Sequence, residues 1–336
     1  MDLGGLELTY RQLLSKKGIP EFIFNVTFYP ISLLNSIYST SRRFIYSAGI
    51  KRKFNFKKPI ISVGNLNIGG SGKTPLVIYI AQNIMDHGYK PAVVIGKEAI
   101  EDEVLIYKTQ LPDIPIFVEN NKIDSIKRAS DSDCDVIIID DGFQLLGINK
   151  NLDIVIIRDD VLSLPFPLGF GREGKSALNY ADLIIISKPY RGLSKKYIKN
   201  KMKHIFIMRQ VPTEIVNYSS NKSVEINILT GENILLFSMV PSIEYIAYEL
   251  SKFGLNVKIM QFPDHYRYKS SDINSIMLRK NLVKYIITTE KDISRITKDF
   301  PDMLGSLWIL ESKLCIEDEN TLIEPIIRLI ENYEKV

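Results

Sequence analysis

At 336 residues, with 45% hydrophobic and 24% charged side chains, the chain has the composition of a globular protein of one large or two smaller α/β domains, which excludes a mainly disordered state. Its two cysteines, Cys134 and Cys315, lie far apart and form no CxxC pair, which excludes a disulfide framework or cysteine zinc site and fits a reducing cytoplasm. The net charge of +4 is unevenly spread: residues 1–60 hold ten Lys/Arg against three Asp/Glu, so an anionic partner is expected at that end.

Nucleic acid and anionic lipid headgroups both fit a basic segment, and the neighbouring residues help to choose between them. Residues 22–38 are apolar and aromatic, and Lys16, Lys17, Arg42, Arg43 and Lys51-Arg52-Lys53 flank them. Asn25, Thr27, Pro30, Ser32, Asn35 and Ser36 interrupt the stretch too often for a spanning helix, which needs roughly 20 mostly apolar residues. It starts too far into the chain for a secretory signal. An interfacial segment is expected over 1–58, its aromatics at the headgroup boundary and its basic flanks on lipid phosphates, with no nucleic acid as partner. The other reading of the same pattern is a helix packed on the protein's own core.

After this segment, strands are predicted at 59–63, 91–95, 114–118, 136–139, 154–157, 183–186 and 205–207, with helices at 75–87 and 121–131. Apolar runs alternating with helices describe a mostly parallel sheet covered on both faces, over 59–207. Residues 208–232 alternate polar and apolar around Ser219-Ser220-Asn221-Lys222, as in a two-stranded linker. A second, smaller Rossmann-like α/β subdomain is expected over 233–336. Its strands fall at 234–237, 257–260, 285–288 and 307–310, and its helices at 243–253, 271–281 and 319–334.

The first strand runs into Asn67-Ile68-Gly69-Gly70-Ser71-Gly72-Lys73-Thr74 and then a helix with Pro75 in its first turn. That order is the context of a P-loop. The backbone of residues 67–72 would wrap the phosphates, Lys73 would neutralise the β/γ oxygens, and the Thr74 hydroxyl would ligate Mg²⁺. Asn67 stands where the first glycine of GxxxxGK[ST] is usual. Val136-Ile137-Ile138-Ile139 delivers Asp140-Asp141 at its carboxyl end, as a Walker-B site requires, and adjacent carboxylates call for a cation beside them. Of the histidines, His265 in Phe262-Pro263-Asp264-His265 is the one placed for acid–base work.

Together these segments resemble the tetraacyldisaccharide 4′-kinase (lipid A 4′-kinase) family. The matching stretches are residues 62–75, Asp140-Asp141-Gly142-Phe143-Gln144, Asn151 to Val155, Arg172-Glu173, Phe262 to His265, and Thr288-Thr289-Glu290-Lys291-Asp292. The resemblance implies an ATP- and Mg²⁺-dependent transfer of the γ-phosphate to the 4′-hydroxyl of a tetraacylated glucosamine disaccharide 1-phosphate. It places the protein peripherally on the cytoplasmic face of the inner membrane. It implies phosphate contacts from Lys73, Thr74 and Arg172, and metal contacts from Asp140 and Glu173. Asp141 would ligate metal or position substrate. An Asp102–His265 pair would accept the sugar hydroxyl proton. The chain departs from the family pattern where Val94-Ile95-Gly96-Lys97 runs almost directly into Glu101-Asp102-Glu103. It departs again at Leu145-Leu146 and at Ser238-Met239-Val240-Pro241. The alternative reading is a membrane-tethered P-loop ATPase switch that phosphorylates no lipid.

Overall fold

Segments that are apolar on both faces become strands with no solvent face. In a computed structural model, β1 (Ile60–Asn65), β4 (Val136–Asp140) and β6 (Leu183–Ser187) are buried at every residue. β2 (Pro91–Gly96) and β5 (Leu152–Arg158) are buried along most of their length. Each fully buried Ile, Val or Leu in them contributes about 1.5–3 kcal/mol relative to exposure. The structure describes residues 21–67, 70–96, 101–159, 165–169, 171–192, 204–263 and 266–334.

The chain forms two compact units, Glu21–Arg209 together with the residues from Ile316 onwards, and Gln210–Cys315. The first carries a parallel sheet in the order β3-β2-β4-β1-β5-β6-β7, with β3 at Ile116–Glu119 and β7 at His204–Asn217. From β1 the chain moves outwards to β2 and β3, returns to β4 beside β1, and crosses to β5 on the other side. Such a reversal opens a crevice at the carboxyl ends of the strands. Among the described residues the α-helices of this unit are α1 (Glu21–Ser47), α2 (Lys73–Asp86), α3 (Glu101–Gln110), α4 (Lys122–Ser130) and α8 (Glu319–Glu334). The terminal helix α8 thus falls in the same unit as the P-loop, and Tyr333 Oη donates to Phe56 O at 3.1 Å. Helix α3 has no counterpart among the predicted elements, because Glu101–Gln110 carries no apolar stripe: Tyr107 is buried while Leu105 and Ile106 are exposed.

In the second unit β9 (Asn233–Ser238), β10 (Asn256–Gln261), β11 (Tyr285–Thr288) and β12 (Leu307–Ile316) lie parallel in the order β10-β9-β11-β12. Alternate residues of β9 serve opposite layers, as a strand period of two dictates. Ile234 and Leu236 pack with Ile243 and Leu250 of α5 (Ile243–Ser251). Leu235 and Phe237 pack with Ile276 of α6 (Ser270–Met277) and Ile296 of α7 (Glu290–Asp299). β7 turns back through Asn217–Lys222 to pair antiparallel with β8 (Ser223–Glu225). Both β7 and β12 run across a unit boundary.

Candidate phosphate-binding site

Two close approaches and one left-handed glycine shape the crevice at the ends of β1 and β4. A Cβ on Gly64 would lie 2.3 Å from that of Phe143, so the first strand needs glycine for the Asp140-Asp141-Gly142-Phe143-Gln144 turn to reach it. A Cβ on Gly142 would meet Ser62 Oγ at 2.6 Å for the same reason. Gly72 takes a left-handed φ of 89°, which a glycine adopts without steric cost, and starts α2 at Lys73.

The loop is braced from within. Asn65 Nδ2 donates to Asn67 O at 2.5 Å and to Ser71 Oγ at 2.9 Å, and Gln144 Nε2 donates to Asn65 O at 3.1 Å. Asn67 and Ser71 are buried, and Asn67 Oδ1 accepts from the backbone N–H of Arg158. Thr74 is half-buried in the first turn of α2. Gly70 is exposed and its carbonyl accepts from Lys188 Nζ at 2.7 Å. Ile68 and Gly69 lie outside the described residues.

Asp141 sits in the left-handed region with φ 55°, a strained conformation for a non-glycine residue and one that functional turns retain. Lys122 Nζ holds the turn, donating to the carbonyls of Asp140 at 2.9 Å and Asp141 at 2.8 Å. Arg172 Nη1 donates to both Asp141 oxygens at 2.9 and 2.8 Å, and Lys73 Nζ stands 3.7 Å from Oδ1. Arg172 reaches this position because its own N–H pairs with Leu66 O at 2.8 Å, beside the bridge between Asn67 and Gly171. Burial pushes the Asp141 carboxyl up, yet Lys73 and Arg172 together hold it below the usual carboxylate value. Burial pushes the Lys122 ammonium down, with Asp141 and Asp140 opposing.

Asp140 differs. Burial pushes its carboxyl up, against the pull of Lys73 and of the Tyr107 hydroxyl, which donates to Oδ2 at 2.8 Å. Its Oδ1 is buried with no hydrogen-bond partner, and a lone pair in that state is costly unless a cation or water meets it. Asp140 Oδ1 and the Thr74 hydroxyl fit Mg²⁺, which is usually held by one or two carboxylates plus substrate phosphates and water. Among the described residues no group of three or more His, Cys, Asp or Glu is arranged to hold a metal ion by itself. Both oxygens of Glu173 are taken up by Arg43 of α1, at 2.5 and 2.7 Å.

Of the residues expected from sequence, Lys73, Asp140, Asp141 and Arg172 therefore come together. Asp264 and His265 lie outside the described residues, and of Asp102 only the backbone, in the first turn of α3, is described. Sequence reasoning missed Lys122 and Tyr107, whose partners are fixed by the fold and by no local motif. It also missed the role of Arg43, which the polar stripe Ser32, Ser36, Ser39, Arg43 at helical spacing could have signalled.

The sequence profile of the tetraacyldisaccharide-1-P 4′-kinase family matches residues 24–95 and 96–331. A tetraacyldisaccharide 4′-kinase of Coxiella burnetii is 30% identical over 294 residues, covering 81% of this chain and 82% of the relative. One of Flavobacterium johnsoniae is 27% identical over 318 residues, covering 85% and 91%. In structure, the chain is similar to LpxK from Aquifex aeolicus, crystallised in complex with ATP, with a TM-score of 0.65 and 22% identity over 91% of this chain and 99% of that one. With the profile spanning nearly its whole described length, the chain belongs to the tetraacyldisaccharide-1-P 4′-kinase family.

Proposed function

We propose that this protein is the ATP-dependent kinase that phosphorylates the 4′-hydroxyl of a tetraacylated glucosamine disaccharide 1-phosphate, a step of lipid A biosynthesis. The observation that carries the reading, beside family membership, is the cluster of Lys73, Lys122 and Arg172 around Asp141 at the mouth of a braced P-loop. Phosphoryl transfer asks the protein chiefly for a positioned nucleophile and neutralised charge. Lys73 and Arg172 supply that charge at the β/γ phosphates, and the backbone amides of residues 67–72 bind and orient the triphosphate. Thr74 and Asp140 would hold Mg²⁺, which would supply Lewis-acid neutralisation of the phosphate charge. Asp141 keeps Lys73 and Arg172 aimed at one place. Asp102, with His265, accepts the proton of the sugar hydroxyl, an assignment that rests on the resemblance.

Helix α1 supports a lipid surface as the place of action. Tyr29, Ile31, Leu34, Ile37, Tyr38 and Phe44 are exposed along it, while Ser32, Ser39 and Arg43 are buried. A helix that turns apolar residues outwards beside Arg42, Lys51, Arg52 and Lys53 has the chemistry of an interfacial anchor on anionic lipid. Among the described residues no helix is long and apolar enough to cross a membrane. We assign it a peripheral place on the cytoplasmic face of the inner membrane.

The test is transfer of label from γ-labelled ATP, with Mg²⁺, to detergent-dispersed disaccharide 1-phosphate, beside Lys73→Ala. Label on the lipid that falls roughly 10²–10³-fold in the variant is the expected result. ATP hydrolysis with no labelled lipid would replace the kinase with a membrane-tethered ATPase switch.

A further inference from the structure

The buried side of α1 is polar, with Ser32, Ser39 and Arg43 turned inwards, and several of its hydrogen bonds run to chain around the phosphate site. Ser32 Oγ donates to Pro165 O at 2.8 Å and Asn35 Nδ2 to Phe166 O at 3.3 Å. Thr40 Oγ1 and Ser176 Oγ are hydrogen-bonded at 3.1 Å. A Cβ on Gly174 would lie 2.6 Å from Ser36 Oγ, so the helix approaches backbone that only glycine leaves open.

Arg43 goes deepest, at 3% exposure. Its guanidinium grips both Glu173 oxygens, donates from Nη2 to Phe143 O at 3.3 Å, and lies 3.8 Å from the centroid of the Phe143 ring. Glu173 is the neighbour of Arg172, and Phe143 follows Asp141-Gly142. The ion pair that orders the phosphate site, Arg172 to Asp141, is thus built from two chain segments that one guanidinium ties together. A planar five-donor fork can serve a carboxylate, a carbonyl and a ring face at once, which an ammonium cannot.

We propose that Arg43 is a positioning residue for phosphoryl transfer: by clamping Glu173 and Phe143 it sets Arg172 against Asp141. The proposal rests on the kinase reading for its substrate, though not for its geometry. It also makes α1 a working part of the catalytic centre, one side meeting lipid and the other holding the site. A misplacement of about 1 Å at a reacting group can cost about 100-fold in rate.

The experiment compares wild type, R43K, R43Q and the double variant R43Q/E173Q as full chains. It measures melting temperature, KM for ATP and for the lipid, kcat for lipid labelling, and ATP turnover. R43K keeps the charge that a buried Glu173 requires but lacks the fork. It should melt near wild type, hold both KM values within about twofold, and lose roughly ten- to hundredfold in kcat. R43Q should lose at least as much. In R43Q/E173Q, removal of the lone buried carboxylate should recover melting temperature without recovering kcat. Folded R43K and R43Q/E173Q with kcat within twofold of wild type would overturn the proposal. So would a loss in kcat that merely follows the folded fraction and returns in the double variant. A wild type that hydrolyses ATP but labels no lipid would sink the kinase reading instead, and the same comparison would then be read on ATP turnover.

Discussion

At the ends of β1 and β4, Asn65, Asn67, Ser71 and Asp140 are buried, while along the outer side of α1 the large apolar residues from Tyr29 to Phe44 are exposed. Each region reverses the usual placement of its residue types. The buried polar groups are tolerable because most are hydrogen-bonded, Asn65 to the loop it supports, Asn67 to the Arg158 N–H and Asp140 to Tyr107. The exposed apolar groups have no such partner among the described residues, and a cover would relieve them. The difference separates two kinds of functional residue. One kind is held in place by the protein, and the other is exposed, which is the placement the proposed lipid contact requires.

If that distinction is right, substitutions in the first region should change chemistry and those in the second should change attachment. The largest effect is expected from a residue that the resemblance, and not the first region, supplies: Asp102→Ala should lose roughly 10²–10⁴-fold in kcat for lipid labelling with ATP affinity retained. A loss of less than threefold would mean that Asp102 is not the base. Gly64→Ala comes next, since the added methyl has the Phe143 Cβ 2.3 Å away. Thermal melting should report about 1–3 kcal/mol of destabilisation together with weaker ATP binding. Leu34→Asp on the open side of α1, at 66% exposure, should weaken sedimentation with anionic vesicles roughly tenfold, from about 1.5 kcal/mol of lost burial in lipid. Its kcat on detergent-dispersed substrate should stay at the wild-type level. If kcat fell instead, the separation of chemistry from attachment would fail. Asp133→Asn is the smallest. It removes a pair with Lys90 whose side chains are 90% and 64% exposed, and it should leave melting and activity unchanged.

The fold was legible where burial is uniform. Ile60–Val63, Val136–Ile139 and Leu183–Ile186 are apolar at each step or nearly so, and a sheet covered on both sides is the arrangement that hides them. The loop at 67–74 and the pair Asp140-Asp141 were legible because their chemistry is contiguous in sequence. Lys122 was not: its partners are backbone carbonyls, brought to it by the pairing of β2 with β4 and the return through α4. Tyr107 was hidden with its helix, whose exposed Leu105 and Ile106 spoil any periodic signal. In α1 the apolar run was visible in sequence, but its orientation was not. Arg43 read as a flanking charge for lipid headgroups and instead faces inwards, 130 positions from the carboxylate it meets.

The two thiols lie in unlike settings. Cys134 is buried, its sulfur donates to Ala129 O at 3.1 Å, and burial pushes the thiol up, all of which slow its reaction with alkylating reagents. Cys315 is exposed, and it is the last residue of its unit before the chain passes to Ile316. Under native conditions a maleimide dye should therefore mark the wild-type protein at this single position, with no cysteine needing to be removed or added. That gives the unaltered chain one defined attachment point for a label, on an exposed strand residue distant in sequence from the phosphate-binding loop.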